Sequence, residues 1–157
     1  MRSSSIHEIK QELVNLKAAE LTALCLRLAR FKKENKELLT YLLFETQDEQ
    51  HYIKNIKQEI EELFAEINLS HLYFAKKTLR KILRVINKHS RYSGNKQTDL
   101  ELRIFFCRQL IDSGIPFRQN AVISNIFGGQ LKKIDAVMAT LHEDLQHDYR
   151  KEIEALQ

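Results

Sequence analysis

FAKKTLRKILRVINKHSRYSG, Phe74 to Gly94, holds Lys76, Lys77, Arg80, Lys81, Arg84, Lys88 and Arg91 and no acidic residue. At about 100° per residue, Ala75, Leu79, Ile82 and Ile86 fall inside an arc of about 60°, with Leu72 and Leu83 beside it. Lys77, Arg80, Arg84, Lys88 and Arg91 fill an arc of about 80° on the other side. One apolar stripe and one cationic stripe, held over about six turns, predict an amphipathic helix from His71 to Tyr92.

The chain on either side reads the same way. Ile53, Ile56, Ile60, Leu63 and Ile67 step by three and four, which predicts a helix from Asp48 to Ile67. Asp48 and Glu49 lie at its start, where acids are favoured, and Glu59, Glu62 and Glu66 make its polar side acidic. Asn68-Leu69-Ser70 separates the two helices. Earlier in the chain the pattern predicts helices at Ser5–Leu16, with a serine cap, at Ala18–Phe31 and at Lys36–Phe44. Arg27, Arg30, Lys32 and Lys33 gather near the end of the second of these, where cations complement the helix dipole.

Beyond Gly94 the sequence predicts a helix capped by Thr98 or Asp99 and ending at Ser113. Leu100, Leu102, Ile104, Phe105, Phe106, Cys107, Leu110 and Ile111 surround it, so it belongs in the middle of a bundle. A turn or two of helix is expected between Arg118 and Phe127. Gly128-Gly129 reads as a hinge. Leu131, Ile134, Met138, Leu141 and Leu145 then predict one long helix, which at about 25 residues would extend about 38 Å. The expected organisation is a core domain over 1–127 and a long C-terminal amphipathic helix over 128–157, packed on the core or used for association. The expected fold is all-α, an irregular bundle or a short right-handed α-α superhelix of about 6–8 helices.

Composition supports this class. The 157 residues contain four glycines, one proline and 43% hydrophobic residues, with Leu, Ile, Lys, Glu and Ala dominant. No apolar run approaches the ~20 residues needed to cross a bilayer, and MRSSSIHEIKQEL lacks a secretory apolar block, so the expected compartment is the cytoplasm. Cys25 and Cys107 both sit in apolar helical stretches and read as buried, reduced thiols. The net charge is +4, yet outside Ser70–Arg91 the chain holds 18 basic residues against 21 acidic. The Phe74–Gly94 helix supplies the whole positive excess.

The run AAELTALCLRLARFKKENKELLTYLLFE, with the acidic helix and FAKKTLRKILRVINKHSRYSG after it, resembles a family of uncharacterised all-helical bacterial proteins. The matching pieces are Asn35-Lys36-Glu37, Tyr41-Leu42 and Ala75-Lys76-Lys77, within about Leu13 to Leu110. The resemblance implies a helical fold and no catalytic residue.

Motifs for chemistry are missing: there is no phosphate-binding glycine loop, no Cys-x-x-Cys and no nucleophile elbow. HEDLQH places His142 and His147 five residues apart, about 140° around a helix, which is wrong for a shared metal. His71 and His89 bracket the basic helix about 27 Å apart, too far to form one site. The sequence therefore predicts no metal, no cofactor, no small-molecule ligand and no membrane partner.

What remains is the cationic face. If the acidic helix packs on the basic one through their apolar stripes, Glu62 and Glu66 point away, and only Glu59 meets Lys76 or Lys81 at an edge. The row is then either solvated, or docks an acidic protein or a second copy of the chain, or follows a nucleic-acid backbone. The expected function is a non-enzymatic interaction module. Its binding face is Lys77, Arg80, Arg84, Lys88 and Arg91, and Leu131, Ile134, Met138, Leu141 and Leu145 form its association stripe. The alternative is a nucleic-acid-binding accessory protein that uses the same basic face.

Overall fold

The computed structural model describes residues 2–156, and among these there are eight α-helices and no strand. The chain forms two compact units, residues 1–44 and 45–157. The division therefore falls far upstream of the expected boundary at 127/128, and position 128 lies inside a helix. No helix among the described residues is long and apolar enough to cross a membrane.

The N-terminal unit contains α1 (Ile6–Val14), α2 (Ala18–Phe31) and α3 (Lys33–Thr40), followed by a π-type turn at Tyr41–Glu45 that passes into the next unit. Ser5 caps α1 in a reciprocal capping box: Glu8 N–H donates to Ser5 Oγ at 3.3 Å and Ser5 N–H to Glu8 Oε2 at 2.7 Å. The bond to the Ser5 amide, first, and that from its hydroxyl hold the Glu8 carboxyl below its ordinary pKa. Between α2 and α3 only Lys32 is extended, and Asn35 Nδ2 donates back to Leu28 O at 2.9 Å, satisfying a carbonyl in the last turn of α2. This unit has almost no interior. None of α1, α2 or α3 contains a fully buried residue. Cys25, expected inside, is exposed, because α2 packs mainly on short α3 and its circumference of leucines is not enclosed.

The C-terminal unit is built around α6 (Lys96–Asp112), against which α4 (Glu49–Ala65), α5 (Leu72–Ser93) and α7 (Ala121–Met138) all pack. The all-round apolar sequence of α6 is the cause: Leu100, Leu102, Phe106, Cys107 and Leu110 are completely enclosed. From α4 come Ile53, Ile56, Ile60 and Leu63, from α5 come Ala75, Leu79, Ile82 and Ile86, and from α7 come Ile123 and Ile134. The α6 cap is Asn95, whose Oδ1 accepts from Gln97 N–H at 2.9 Å, rather than Thr98 or Asp99. Thr98 is instead buried and donates to Glu49, as does Ser93, so the start of α4 clasps the α5–α6 turn.

The C-terminal segment departs from expectation. α7 begins after a single 3-10 turn at Phe117–Gln119 and runs straight through Gly128 and Gly129, which have ordinary helical backbone and form no hinge. The expected long helix is two: α7 stops at Met138 and α8 (Glu143–Glu154) starts afresh. Thr140 Oγ1 donates to Val137 O at 2.7 Å, closing the end of α7. His142 then caps α8, with Glu143 and Asp144 in the first turn, where acids complement the dipole.

Candidate functional site

The α5 helix divides as its sequence pattern requires. Its apolar residues Ala75, Leu79, Ile82 and Ile86 are wholly buried, while Lys77, Arg80, Lys81, Arg84 and Arg91 on the other side are exposed. Gly94 terminates the helix at φ 66°, a left-handed conformation that glycine adopts without a Cβ penalty, and its N–H donates to Ser90 O at 2.9 Å.

Glu59 Oε2 lies 3.7 Å from His89 Nε2, and His89 Nδ1 is 2.7 Å from Tyr52 OH. The edge contact expected between Glu59 and Lys76 or Lys81 is thus made by His89. His71 sits at the N-cap of α5, edge-on to Phe74, with ring centres 6.0 Å apart. Lys57 of α4 turns to α6 and meets Glu101 at 3.0 Å. Among the described residues no ion pair joins Lys76, Lys77, Arg80, Lys81 or Arg84 to a carboxylate.

Three of the five expected face residues line one open groove. Lys77, Arg80 and Arg84 border a depression of about 670 Å³ together with Tyr73, Lys76, Leu83, Asn87 and Val122. Lys88 is half-buried and Arg91 lies beyond the groove, its Nε donating to Asn87 O at 3.3 Å. Tyr73 is 73% exposed at one end. Val122, in the first turn of α7, supplies an apolar wall that nothing in the sequence connects to α5. Its side chain reaches the groove only because α6 carries α7 alongside.

The association stripe is turned inward. Ile134 is fully buried, Leu131, Met138, Leu141 and Leu145 are half-buried, and the break after Met138 divides the row between two helices. No continuous exposed stripe is left on this segment. His142 caps α8 with Nδ1 3.3 Å from Asp144 Oδ2, and His147 is exposed further along α8. Among the described residues no three His, Cys, Asp or Glu side chains are grouped to hold a metal ion.

No family model matches the chain, and no similar curated protein or solved structure was found.

Proposed function

We propose that this protein is a non-enzymatic interaction module that docks an acidic protein partner on the α5 face. The observation that carries this reading is the groove itself: four cations, Lys76, Lys77, Arg80 and Arg84, stand along one side of it without a carboxylate among the described residues. Leu83 and Val122 give it apolar lining. Unpaired cations around a small apolar patch suit acidic protein surface, since charge complementarity steers the encounter and the apolar contact retains it. The resemblance to uncharacterised helical bacterial proteins adds a helical fold to this reading and no binding residue.

The test is affinity purification of the intact chain beside the triple reversal Lys77→Glu, Arg80→Glu, Arg84→Glu. All three side chains are exposed, so the fold tolerates the change. The reading requires an acidic protein that is retained by the parent and lost with the reversal. An identical set of bound proteins returns the face to solvent.

A second reading, binding to a nucleic-acid backbone, is favoured by Tyr73, an exposed aromatic ring in the same groove as the cations. A mobility shift with single- and double-stranded DNA and RNA at ~50 mM salt decides between them, because phosphate contacts are strongest at low salt. A shift that disappears in the triple reversal establishes the nucleic-acid reading, and no shift removes it.

A further inference from the structure

The N-terminal unit carries a second groove, independent of α5. It lies between the end of α2 and the stretch from α3 into the π-type turn, and encloses about 590 Å³. Its lining is divided by chemistry. Around the α2–α3 junction stand Arg30, Lys32, Lys33 and Lys36, and away from it stand Leu26 of α2, Leu39 of α3, and Leu43 and Phe44 of the π-type turn. Three of these apolar side chains are far from buried, with Leu26 at 46%, Leu43 at 59% and Phe44 at 73% exposure.

Helix-dipole compensation explains only part of this cluster. Arg30 lies in the last turn of α2, where a cation is favoured. Lys32, Lys33 and Lys36 lie at the N-cap and first turn of α3, the end at which the dipole disfavours cations. Lys33 meets Glu37 at 3.6 Å, but this lysine is 86% exposed and remains largely solvated. Lys32, Lys33 and Lys36 are therefore placed against local preference, beside apolar surface that the unit does not cover itself.

The charge and shape select among occupants. A second copy seated groove to groove would bring like cations together. A nucleic-acid backbone leaves the leucines and Phe44 in water. A flat bilayer engages the exposed Leu43 and Phe44 but not the half-buried Leu39. We propose that this groove takes an amphipathic helix of a partner protein. Its apolar residues, spaced by three and four, seat on Leu26, Leu39, Leu43 and Phe44, and an acidic cluster at one end faces Arg30, Lys32, Lys33 and Lys36.

The experiment is selection of random displayed peptides of about 16 residues, some four helical turns, on the intact chain. Selected peptides are then titrated by fluorescence anisotropy. Enriched sequences should combine apolar residues at helical spacing with acids at one end. Their affinity should fall at least about tenfold both in the Lys32→Glu, Lys36→Glu double variant and, separately, in Leu43→Asp, with unchanged circular dichroism. Reversal at Arg80 and Arg84 should leave their affinity unchanged, which separates this site from the α5 face. Enrichment of peptides without an acidic bias overturns the proposal, as does indifference to both variants. So does binding of phosphatidylserine vesicles, or self-association in sedimentation, through these same residues in place of peptide.

Discussion

Arg103 and Gln130 meet inside the C-terminal unit, the guanidinium Nη1 donating to the amide oxygen across 2.7 Å. Arg103 is 6% exposed and Gln130 5%, so neither has water as an alternative. The same guanidinium reaches Asp99 through Nε at 3.1 Å and Nη2 at 2.8 Å, and donates to Asn87 Oδ1 at 3.0 Å. One side chain thus ties α5, α6 and α7 together beneath the basic groove, to which Asn87 also belongs. A buried charge is tolerable only when paired and hydrogen-bonded in this way.

Arg103→Ala should therefore destabilise the C-terminal unit by about 3–5 kcal/mol, since it strands a carboxylate and two amides. Arg103→Lys should recover only part of this, because an ammonium cannot reproduce the planar fork. Gln130→Leu removes one acceptor and should cost about 1–3 kcal/mol. Urea unfolding followed by circular dichroism measures all three. Equal stability of Arg103→Lys and the parent would show that the fork geometry contributes nothing.

The glycines predict effects of opposite sign. A Cβ at Gly128 or Gly129 meets nothing within 4 Å, and both lie in the interior of α7. Gly128→Ala and Gly129→Ala should each stabilise by about 0.5–1 kcal/mol through helix propensity. Gly94→Ala also has open space, but its φ of 66° should make it destabilising by about 1–2 kcal/mol. The shift in urea midpoint, with the slope unchanged, reads each effect.

These same glycines show where sequence reading stops. A glycine pair marks a hinge by local propensity, yet a cost of about 1 kcal/mol per residue is overcome when Ile123, Phe127, Gln130 and Ile134 are all buried along the helix. The break at Ala139–His142 was invisible for a different reason. Leu131, Ile134, Met138, Leu141 and Leu145 keep their three-and-four spacing across it, so the apolar period records no change of direction. The stripes of α4 and α5 and the central place of α6 were legible because burial itself generates those patterns. For the groove, period gave the α5 cations, whereas Val122 and the Arg103 contacts depend on pairings far apart in the chain. The N-terminal unit inverts the usual inference: its leucines look like core, but the unit does not enclose them.

The two thiols should separate cleanly. Cys107 is enclosed, and burial pushes its thiol up to about 12 against the opposing pull of the Arg103 charge. Cys25 is exposed. At about pH 8 a thiol reagent should modify one cysteine quickly in the native chain and the second only on unfolding. Cys25→Ser should abolish the fast phase. Rapid modification of two thiols under native conditions would contradict the enclosure of α6.

Tyr149 fastens α8 to α6 and gives the fold a pH dependence. Its hydroxyl donates to Glu101 Oε1 at 2.8 Å and accepts from Gln97 Nε2 at 2.7 Å, and Glu101 in turn holds Lys57 of α4. Burial raises the phenol to about 12, with the bond to Glu101 and the charges of Glu101 and Glu152 acting the same way and the Gln97 bond opposing. The unfolded phenol titrates near its ordinary value of about 10. Because the folded value is the higher one, the contribution of Tyr149 is fully present below about pH 10 and is lost as pH rises from there toward 12. Tyr149→Phe should cost about 1 kcal/mol at neutral pH, through the lost hydrogen bonds. The Cys107 thiol also weakens the fold in alkali, but it does so equally in both proteins and cancels in the comparison. The gap in urea midpoint between parent and Tyr149→Phe should thus stay constant up to about pH 10 and narrow above it. A gap that is unchanged through about pH 11 would mean that the phenol titrates alike in the folded and unfolded chain, and that α8 is not held through this hydroxyl.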